Sequence, residues 1–246
     1  MNISQMKKLT NRSLFLLMVI VFTVQSCKKK ENPIKALEYG TVTDADGNKY
    51  KTVKIGDQWW MTENLKVSQF RDGTPLDSIA YYSVDSNWTN LNTPAFTSTN
   101  DSLYGKLYNW KAVNSIKKLA PAGWHIPSDE EWKKMELEIG MSESEVTKTG
   151  WRGMNEAEKL MPVASTGWPT FSTPFGTNEF GFNALPGGCK LFNGGKCDQS
   201  NMAFWWTSSS ENQDEAWYRY LDYHKKTVYR QHTYLNYGFS VRCVKD

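Results

Sequence analysis

The pattern of apolar and polar positions predicts a β-rich start to the folded part of the chain. Residues 40–55 (GTVTDADGNKYKTVKI) form two β-type runs around the Asp-Gly pair at 46–47, which favours the positive φ of a hairpin turn. A second tight turn follows at 56–57. Residues 44–48 (DADGN) also resemble the first half of a calcium loop, but the acid that closes an EF-hand is absent. We therefore interpret residues 40–55 as a β-hairpin.

The last quarter of the chain is also β-type. Three runs there are rich in aromatic and β-branched residues, at 203–208 (AFWWTS), 216–221 (AWYRYL) and 238–244 (GFSVRCV). In the last run, alternation puts Phe239, Val241 and Cys243 on one face. The Lys-Lys pair at 225–226 is typical of a hairpin tip. These features predict a small antiparallel sheet at the C-terminus.

One segment has the pattern of an amphipathic helix. Ser128 can serve as an N-cap, and Glu131 follows three residues later, which completes a capping box. Three apolar residues then share one face of the helix: Trp132, Met135 and Ile139. We expect a helix from about residue 129 to 139, whose acids have a structural explanation. Weaker helical patterns cover 109–113 and 155–160.

The N-terminus resembles an export signal. Three basic residues precede the apolar run 14–22 (LFLLMVIVF), which is too short to span a bilayer. The Val-Gln-Ser-Cys sequence at 24–27 resembles the bacterial lipobox. We expect residues 1–26 to be a cleaved lipoprotein signal peptide and Cys27 to carry the lipid. The alternatives are an ordinary secreted protein with a cysteine near the cut and, less favoured, a transmembrane anchor.

The mature chain is predicted to be one domain on a tether. Residues 27–38 are charged and contain a proline, so we interpret them as the lipidated cysteine and a flexible tether. Residues 39–246 then form a single globular domain. The chain has 11 Trp, 12 Tyr and 11 Phe, far more than a disordered segment carries. The formal charge of +3 falls to about zero without the signal peptide, which argues against a nucleic-acid partner.

Three cysteines remain after Cys27. Cys189 and Cys197 flank a Gly-rich turn (KLFNGGK) short enough to close a hairpin disulfide, which leaves Cys243 as a buried thiol. Alternatively, Cys243 pairs with one of them and ties the last strand to the Gly-rich loop. We prefer the pair Cys189 and Cys197.

Several long motifs resemble the Fibrobacter succinogenes major paralogous domain. They cover 39–65 (YGTVTDADGNKYKTVKIGDQWWMTENL), 104–113 (YGKLYNWKAV), 119–132 (LAPAGWHIPSDEEW), 179–188 (EFGFNALPGG) and 238–246 (GFSVRCVKD). The family in turn is similar to a branch of the C-type lectin-like superfamily. The motifs shared with that superfamily are 127–132 (PSDEEW), 206–208 (WTS) and 238–242 (GFSVR). The resemblance implies an α+β, C-type lectin-like fold with small twisted antiparallel sheets, one or two helices and long loops.

We expect a non-catalytic binding or adhesion module. Its candidate ligand-binding residues are the strand aromatics Trp205, Trp206, Trp217, Tyr218 and Tyr220, which offer flat surfaces to a glycan or protein, although strand aromatics more often form core. No metal or cofactor is expected, since the Glu-Pro-Asn and Gln-Pro-Asp tripeptides of calcium-dependent sugar binding are absent. The lipid would hold the protein at the outer membrane of a member of the Bacteroidota, on either the surface or the periplasmic face.

Two alternative functions are an enzyme and a structural subunit. The resemblance extends to formylglycine-generating enzymes, which modify sulfatases with a copper-bound Cys-x4-Cys pair, and this chain lacks that spacing. No other catalytic constellation stands out. The third hypothesis is a structural subunit of a surface assembly.

Overall fold

The computed structural model describes residues 36–81, 86–99, 101–163, 166–169, 176–197 and 199–246. The predicted signal peptide, Cys27 and most of the tether lie outside these residues. Leu37 already packs against the core, and the carbonyl of Glu38 accepts a hydrogen bond from the amide of Lys54 (3.0 Å). The compact unit thus begins at Ala36, slightly earlier than the predicted boundary at Tyr39.

The described residues are mostly β structure. The strands are β1 (Tyr39–Thr43), β2 (Lys49–Ile55), β3 (Gln58–Met61), β4 (Asp77–Ser78), β5 (Ala95–Ser98), β6 (Lys106–Asn109), β7 (Trp124–His125), β8 (Gly150–Arg152), β9 (Cys189–Lys190), β10 (Lys196–Cys197), β11 (Met202–Ser210), β12 (Glu215–Asp222), β13 (Val228–Tyr234), β14 (Gly238–Phe239) and β15 (Val244–Lys245). They form three sheets, ordered β1-β2-β3-β15-β7, β10-β9-β14-β6-β5-β4 and β11-β12-β13-β8. Among the described strand pairs, only β4–β5 is parallel, and isolated parallel bridges join Gly188 to Ala203 and Trp205 to Ser240.

Helices are few and short in the part that the structure describes. They are α1 (Ser86–Thr89), α2 (Trp110–Val113), α3 (Asp129–Glu138), α4 (Glu143–Val146) and α5 (Glu156–Leu160), with a 3-10 turn at Ser102–Tyr104. Only α3 exceeds two turns, so the expected α+β fold with one or two helices is observed as a mostly β domain with several one-turn helices. No helix among the described residues is long and apolar enough to cross a membrane.

The local signals identified in the sequence produce the predicted elements. In α3, the Ser128 hydroxyl accepts from the Glu131 amide, and the Glu131 carboxylate accepts from the Ser128 amide (2.8 Å), so the capping box is confirmed. The turn between β1 and β2 has Gly47 at φ +83°. There the Asp44 carboxylate accepts hydrogen bonds from the backbone amides of Asp46 and Asn48 and from the Tyr50 hydroxyl. The predicted hairpin turn is therefore confirmed, and protein donors occupy the Asp44 carboxylate.

The described residues contain two hydrophobic clusters that form the core. The first fills the space between the sheets around Tyr108, Trp206 and Phe239. The second joins α3 to the sheets through closely packed aromatic rings, with Trp60 and Trp132 centroids 5.0 Å apart and Phe182 and Trp205 centroids 6.0 Å apart. Fully buried indoles therefore sit on both sides of β11.

The prediction of one continuous strand over 238–244 is wrong. The segment divides into β14 and β15, and its residues 239–244 are buried whichever way they point. Its backbone changes partner repeatedly: Ser240 bonds to β11, Val241 accepts from Leu65, and Cys243 accepts from Met61. Sequence alternation suggests an exposed face, but this segment threads between sheets and is covered on both sides.

Arg242 lies at the centre of that segment and is fully buried. Its guanidinium donates to the carbonyls of Met61, Phe182 and Asn183 and to Oδ1 of Asn64 (3.0 Å). Burial lowers the pKa of Arg242 to about 9, so the group remains charged at neutral pH. Because carbonyl oxygens satisfy its donors, this arginine ties the terminal segment to the loops around it.

Candidate ligand-binding face

The four-stranded sheet has two chemically different faces. In β12, Trp217, Arg219 and Leu221 point toward α3, whereas Tyr218 and Tyr220 point the other way, as the period of a strand requires. Cross-strand register extends each face to the neighbouring strands, since Arg219 pairs with both Arg230 and Trp205, and Tyr220 pairs with both Tyr229 and Phe204. One face is thus charged and buried beneath α3, and the other is aromatic.

A buried ion network fixes α3 to the charged face. The Glu136 carboxylate accepts from Arg219 (2.7 Å) and from Arg152 (2.8 and 2.9 Å). The Asp129 carboxylate accepts from Arg219 (2.7 Å) and Arg230 (2.7 Å). Burial alone would raise the pKa of Asp129, but the two guanidinium groups outweigh it and lower the pKa to about 2. The sheet is consequently held from below by ion pairs that remain charged at neutral pH.

We call the opposite surface the aromatic face and define it by Trp151, Phe204, Tyr218, Tyr220 and Tyr229. Trp151 lies 5.1 Å from both Tyr220 and Tyr229, measured between ring centroids. Phe204 stacks on Tyr220 at 4.4 Å with an interplanar angle of 5°, and it also stacks on the buried Phe239 at 5.0 Å and 14°. Trp151 is 38% exposed and the other four rings are partly exposed. The rings therefore form a continuous row across β8, β13, β12 and β11 that solvent can reach.

Polar groups line one edge of this row. The Tyr220 hydroxyl donates to the Asp222 carboxylate, which also accepts from the backbone amide of His224 (2.8 Å). Burial, together with this bond, raises the pKa of Tyr220, and burial raises that of Tyr218, so both phenols remain neutral donors at physiological pH. The ammonium of Lys225 lies 5.9 Å from the Trp151 ring. The edge thus offers hydroxyl groups beside flat ring surfaces.

The two tryptophans predicted to bind ligand through β11 are core residues. Trp205 is 1% exposed and its indole donates to Oδ1 of Asn64 (2.9 Å), while Trp206 is fully buried and donates to the carbonyl of Tyr108 (2.9 Å). The physical reason is that β11 is covered on both sides at these two positions, by α3 at Trp205 and by the β6 and β14 region at Trp206. Neither indole can reach a ligand, so both assignments are corrected.

The other three predicted aromatics separate between the two faces. Tyr218 and Tyr220 lie on the aromatic face. Trp217 lies on the opposite face, where its ring centroid is 3.8 Å from the Arg230 guanidinium and 5.1 Å from the His232 ring. It is half-buried and acts as a cover for the ion network.

Sequence reasoning did not select Trp151, the most exposed ring of the row. It belongs to the three-residue strand β8, which pairs with β13 far along the chain. The available signal is the Gly-Trp-Arg sequence at 150–152, because adjacent residues of a strand lie on opposite faces. In the structure Arg152 is fully buried, so Trp151 points to the other, solvent-facing side.

A disulfide-closed hairpin adjoins the aromatic face. Cys189 and Cys197 are bonded and face each other in the β9–β10 ladder, which confirms the preferred pairing, and Cys243 is a buried free thiol. The hairpin carries Phe192, which is 42% exposed and lies 5.6 Å from Tyr237. Tyr237 and Tyr218 both contact the ring of Phe239 beneath them, at 5.5 and 5.1 Å.

No group of three or more His, Cys, Asp or Glu side chains suited to a metal ion occurs among the described residues. The buried position of Cys243 raises the pKa of its thiol, which disfavours the thiolate form needed for nucleophilic or metal chemistry.

The family model described as the Fibrobacter succinogenes major domain matches residues 53–245 of the chain. The matched range contains the aromatic face, the ion network and the disulfide. Neither a curated protein nor a solved structure matches the chain.

Proposed function

This chain belongs to the Fibrobacter succinogenes major domain family, and we propose that it is a membrane-anchored lipoprotein acting as a non-catalytic binding module through its aromatic face. The observation that carries the proposal is the row of five partly exposed rings on a sheet braced from below by buried ion pairs. Flat aromatic surfaces gain binding energy at low conformational cost because few torsions must be ordered.

The anchor is proposed from the lipobox at residues 24–27, which makes Cys27 the lipidation site. Two or three acyl chains supply the signals needed for stable membrane attachment. We place the protein at the outer membrane. Labelled palmitate should enter the wild-type protein and fail to enter Cys27→Ser. Protease treatment of intact cells then shows on which side of the outer membrane the domain lies, because a surface-exposed domain is digested and a periplasmic one is protected.

We also propose that the fold is a member of the C-type lectin-like superfamily. The support is the helix start at 127–132 (PSDEEW), the strand sequence at 206–208 (WTS) and the terminal sequence at 238–242 (GFSVR). An experimental structure whose strand order superposes on that superfamily would support the assignment, and a different strand order would contradict it. Binding through the aromatic face does not depend on this relationship.

The binding role is tested with three alanine variants of the mature protein. Trp151→Ala and Tyr220→Ala each remove a ring from the row, and Tyr39→Ala is a matched control because Tyr39 is 46% exposed on a different sheet. The assay measures retention on arrayed glycans and on immobilised cell-envelope proteins. We expect saturable retention that both row variants weaken and the control preserves. Equal retention by all four proteins would contradict the proposal, as would turnover of a substrate such as copper-dependent oxidation of a peptide cysteine.

A further inference from the structure

The shape of the aromatic face indicates the kind of ligand it accepts. Trp151, Tyr229, Tyr220 and Phe204 lie on four adjacent strands. Neighbouring strands are about 4.8 Å apart, so the row is roughly 14 Å long. The rings contact one another along this whole length, which makes the surface a continuous platform. A platform of this length matches several consecutive units of a chain molecule better than it matches one small molecule.

The chemistry of the outward positions narrows the ligand class. On β12 the partly exposed positions of this face hold Tyr218, Tyr220 and Asp222, and on β13 they hold Tyr229, Gln231 and Thr233. None of them is a large aliphatic residue, the type that lines grooves for amphipathic helices. The row instead combines ring faces with phenol hydroxyls, a carboxylate and a carboxamide. A sugar ring has the complementary character, with an apolar C–H face and a rim of hydroxyl groups.

The charge of the face favours a neutral ligand. Hydrogen bonds from the Tyr220 hydroxyl and from His224 engage the Asp222 carboxylate. Burial alone would raise the pKa of Asp222, but these bonds outweigh it and lower the pKa. Lys225, which lies over Trp151, has the opposite charge. The adjacent Lys226 lies 3.2 Å from the Glu158 carboxylate, so its charge is balanced. The described residues at this edge therefore form no unbalanced cluster of guanidinium or ammonium groups of the kind that binds an acidic polymer.

We propose that the aromatic face binds a neutral oligosaccharide chain that lies across the strands from Trp151 toward Phe204, an inference that rests on the proposed function. Successive sugar units contact Trp151, Tyr229 and Tyr220, whereas Phe204, which is stacked on Tyr220 and on Phe239, closes the end of the row. Hydroxyl groups at the rim exchange hydrogen bonds with the Tyr218 and Tyr220 phenols. Affinity should therefore increase with the number of sugar units until the row is filled.

The test is a length series. Neutral glucose, mannose and galactose oligomers of one to six units are titrated into the purified mature protein, and binding is followed by calorimetry and by tryptophan fluorescence. We expect at least one neutral series whose Kd falls about tenfold or more between one and four units. Trp151→Ala and Tyr220→Ala should each raise Kd about threefold to tenfold, in line with the energy of aromatic contacts. Tyr220→Phe should retain the stacking part of this affinity, and Tyr39→Ala should bind as wild type does.

The failures of the two proposals are distinguishable. If no neutral oligomer binds, or if acidic oligomers bind more tightly, or if one unit binds as well as six, the oligosaccharide assignment is overturned. If an envelope protein binds the wild type but does not bind Trp151→Ala, the face is a binding site whose ligand is a protein and not an oligosaccharide. If Trp151→Ala and Tyr220→Ala retain every ligand that the wild type binds, both proposals are overturned. Circular dichroism of each variant verifies that the sheet is intact.

Discussion

Replacement of Glu136 by alanine tests whether the ion network holds α3 beneath the sheet. Glu136 is fully buried, and within the described part of the chain it is the carboxylate that accepts hydrogen bonds from Arg152, while it shares Arg219 with Asp129. Glu136→Ala therefore leaves one buried guanidinium without a carboxylate partner and deprives another of one of its two. Removing one partner from a buried ion pair costs about 3–5 kcal/mol, because the remaining charge is desolvated without compensation.

The size of the domain converts this loss into a measurable shift. For a domain of this size each kcal/mol lowers Tm by about 2–4 °C, so a loss of about 3–5 kcal/mol predicts a fall of roughly 6–20 °C. The assay is urea unfolding at neutral pH followed by tryptophan fluorescence, with calorimetry for Tm and the disulfide oxidised. Glu138→Ala is the matched control, since Glu138 is an exposed glutamate on the same helix and its loss should change stability by less than about 0.5 kcal/mol.

Two results would refute the reasoning. One is a Glu136→Ala protein within about 1 kcal/mol of wild type, which would mean that water or rearrangement solvates the arginines at little cost. The other is an equal loss in Glu138→Ala, which would attribute the effect to the helix itself. If Glu136→Ala does not fold, Glu136→Gln is measured instead, because it preserves volume and two hydrogen-bonding atoms while it removes the charge. It should be less stable than wild type and more stable than the unfolded alanine variant.

Three further predictions concern other parts of the fold. His125 lies between the carboxylates of Glu131 (2.7 Å) and Asp246 (2.6 Å), which raise its pKa against the opposing effect of burial. The protonated His125 therefore stabilises the folded protein fully below the unfolded pKa of about 6.5, and this stabilisation is lost as pH rises through the folded pKa. The urea midpoint of His125→Gln should therefore trail that of wild type more at pH 6 than at pH 9, and a constant difference would contradict this. Gly105→Ala should lower the urea midpoint strongly, because Gly105 has φ +74° and a Cβ would lie 2.8 Å from a backbone carbonyl oxygen; an unchanged midpoint would contradict this. Loss of the disulfide in Cys189→Ser with Cys197→Ser should cost about 2–3 kcal/mol in the chain-entropy model, measured against oxidised wild type, whereas equal stability would show that the hairpin needs no covalent closure.

Local elements of this protein follow from short stretches of sequence. The Ser128 and Glu131 pair predicts the start of α3, and the structure confirms it with hydrogen bonds in both directions. The Asp-Gly pair at 46–47 predicts the first hairpin, and the lysine pair at 225–226 predicts the turn between β12 and β13. Each of these signals acts over a few residues, because capping and turn geometry depend on nearby backbone groups.

The candidate binding face was only partly predictable. Among the predicted ligand-binding aromatics, Tyr218 and Tyr220 lie on the partly exposed aromatic face, whereas Trp205 and Trp206 are core residues. Alternation places these two indoles on opposite faces of β11 and says nothing about which face is covered. The position of Trp151 depends on pairing between β8 and β13, which join only in the folded chain.

The sequence by itself determined local features of the fold: the capped start of α3, the hairpin turns and the short loop that the disulfide closes. Tertiary structure decided which aromatic side chains meet solvent, where the segment from Gly238 to Val244 breaks, and how Arg152, Arg219 and Arg230 converge on two carboxylates of one helix. The physical reason is that turn and capping preferences arise within a few residues, whereas burial is a property of a position relative to every layer packed around it.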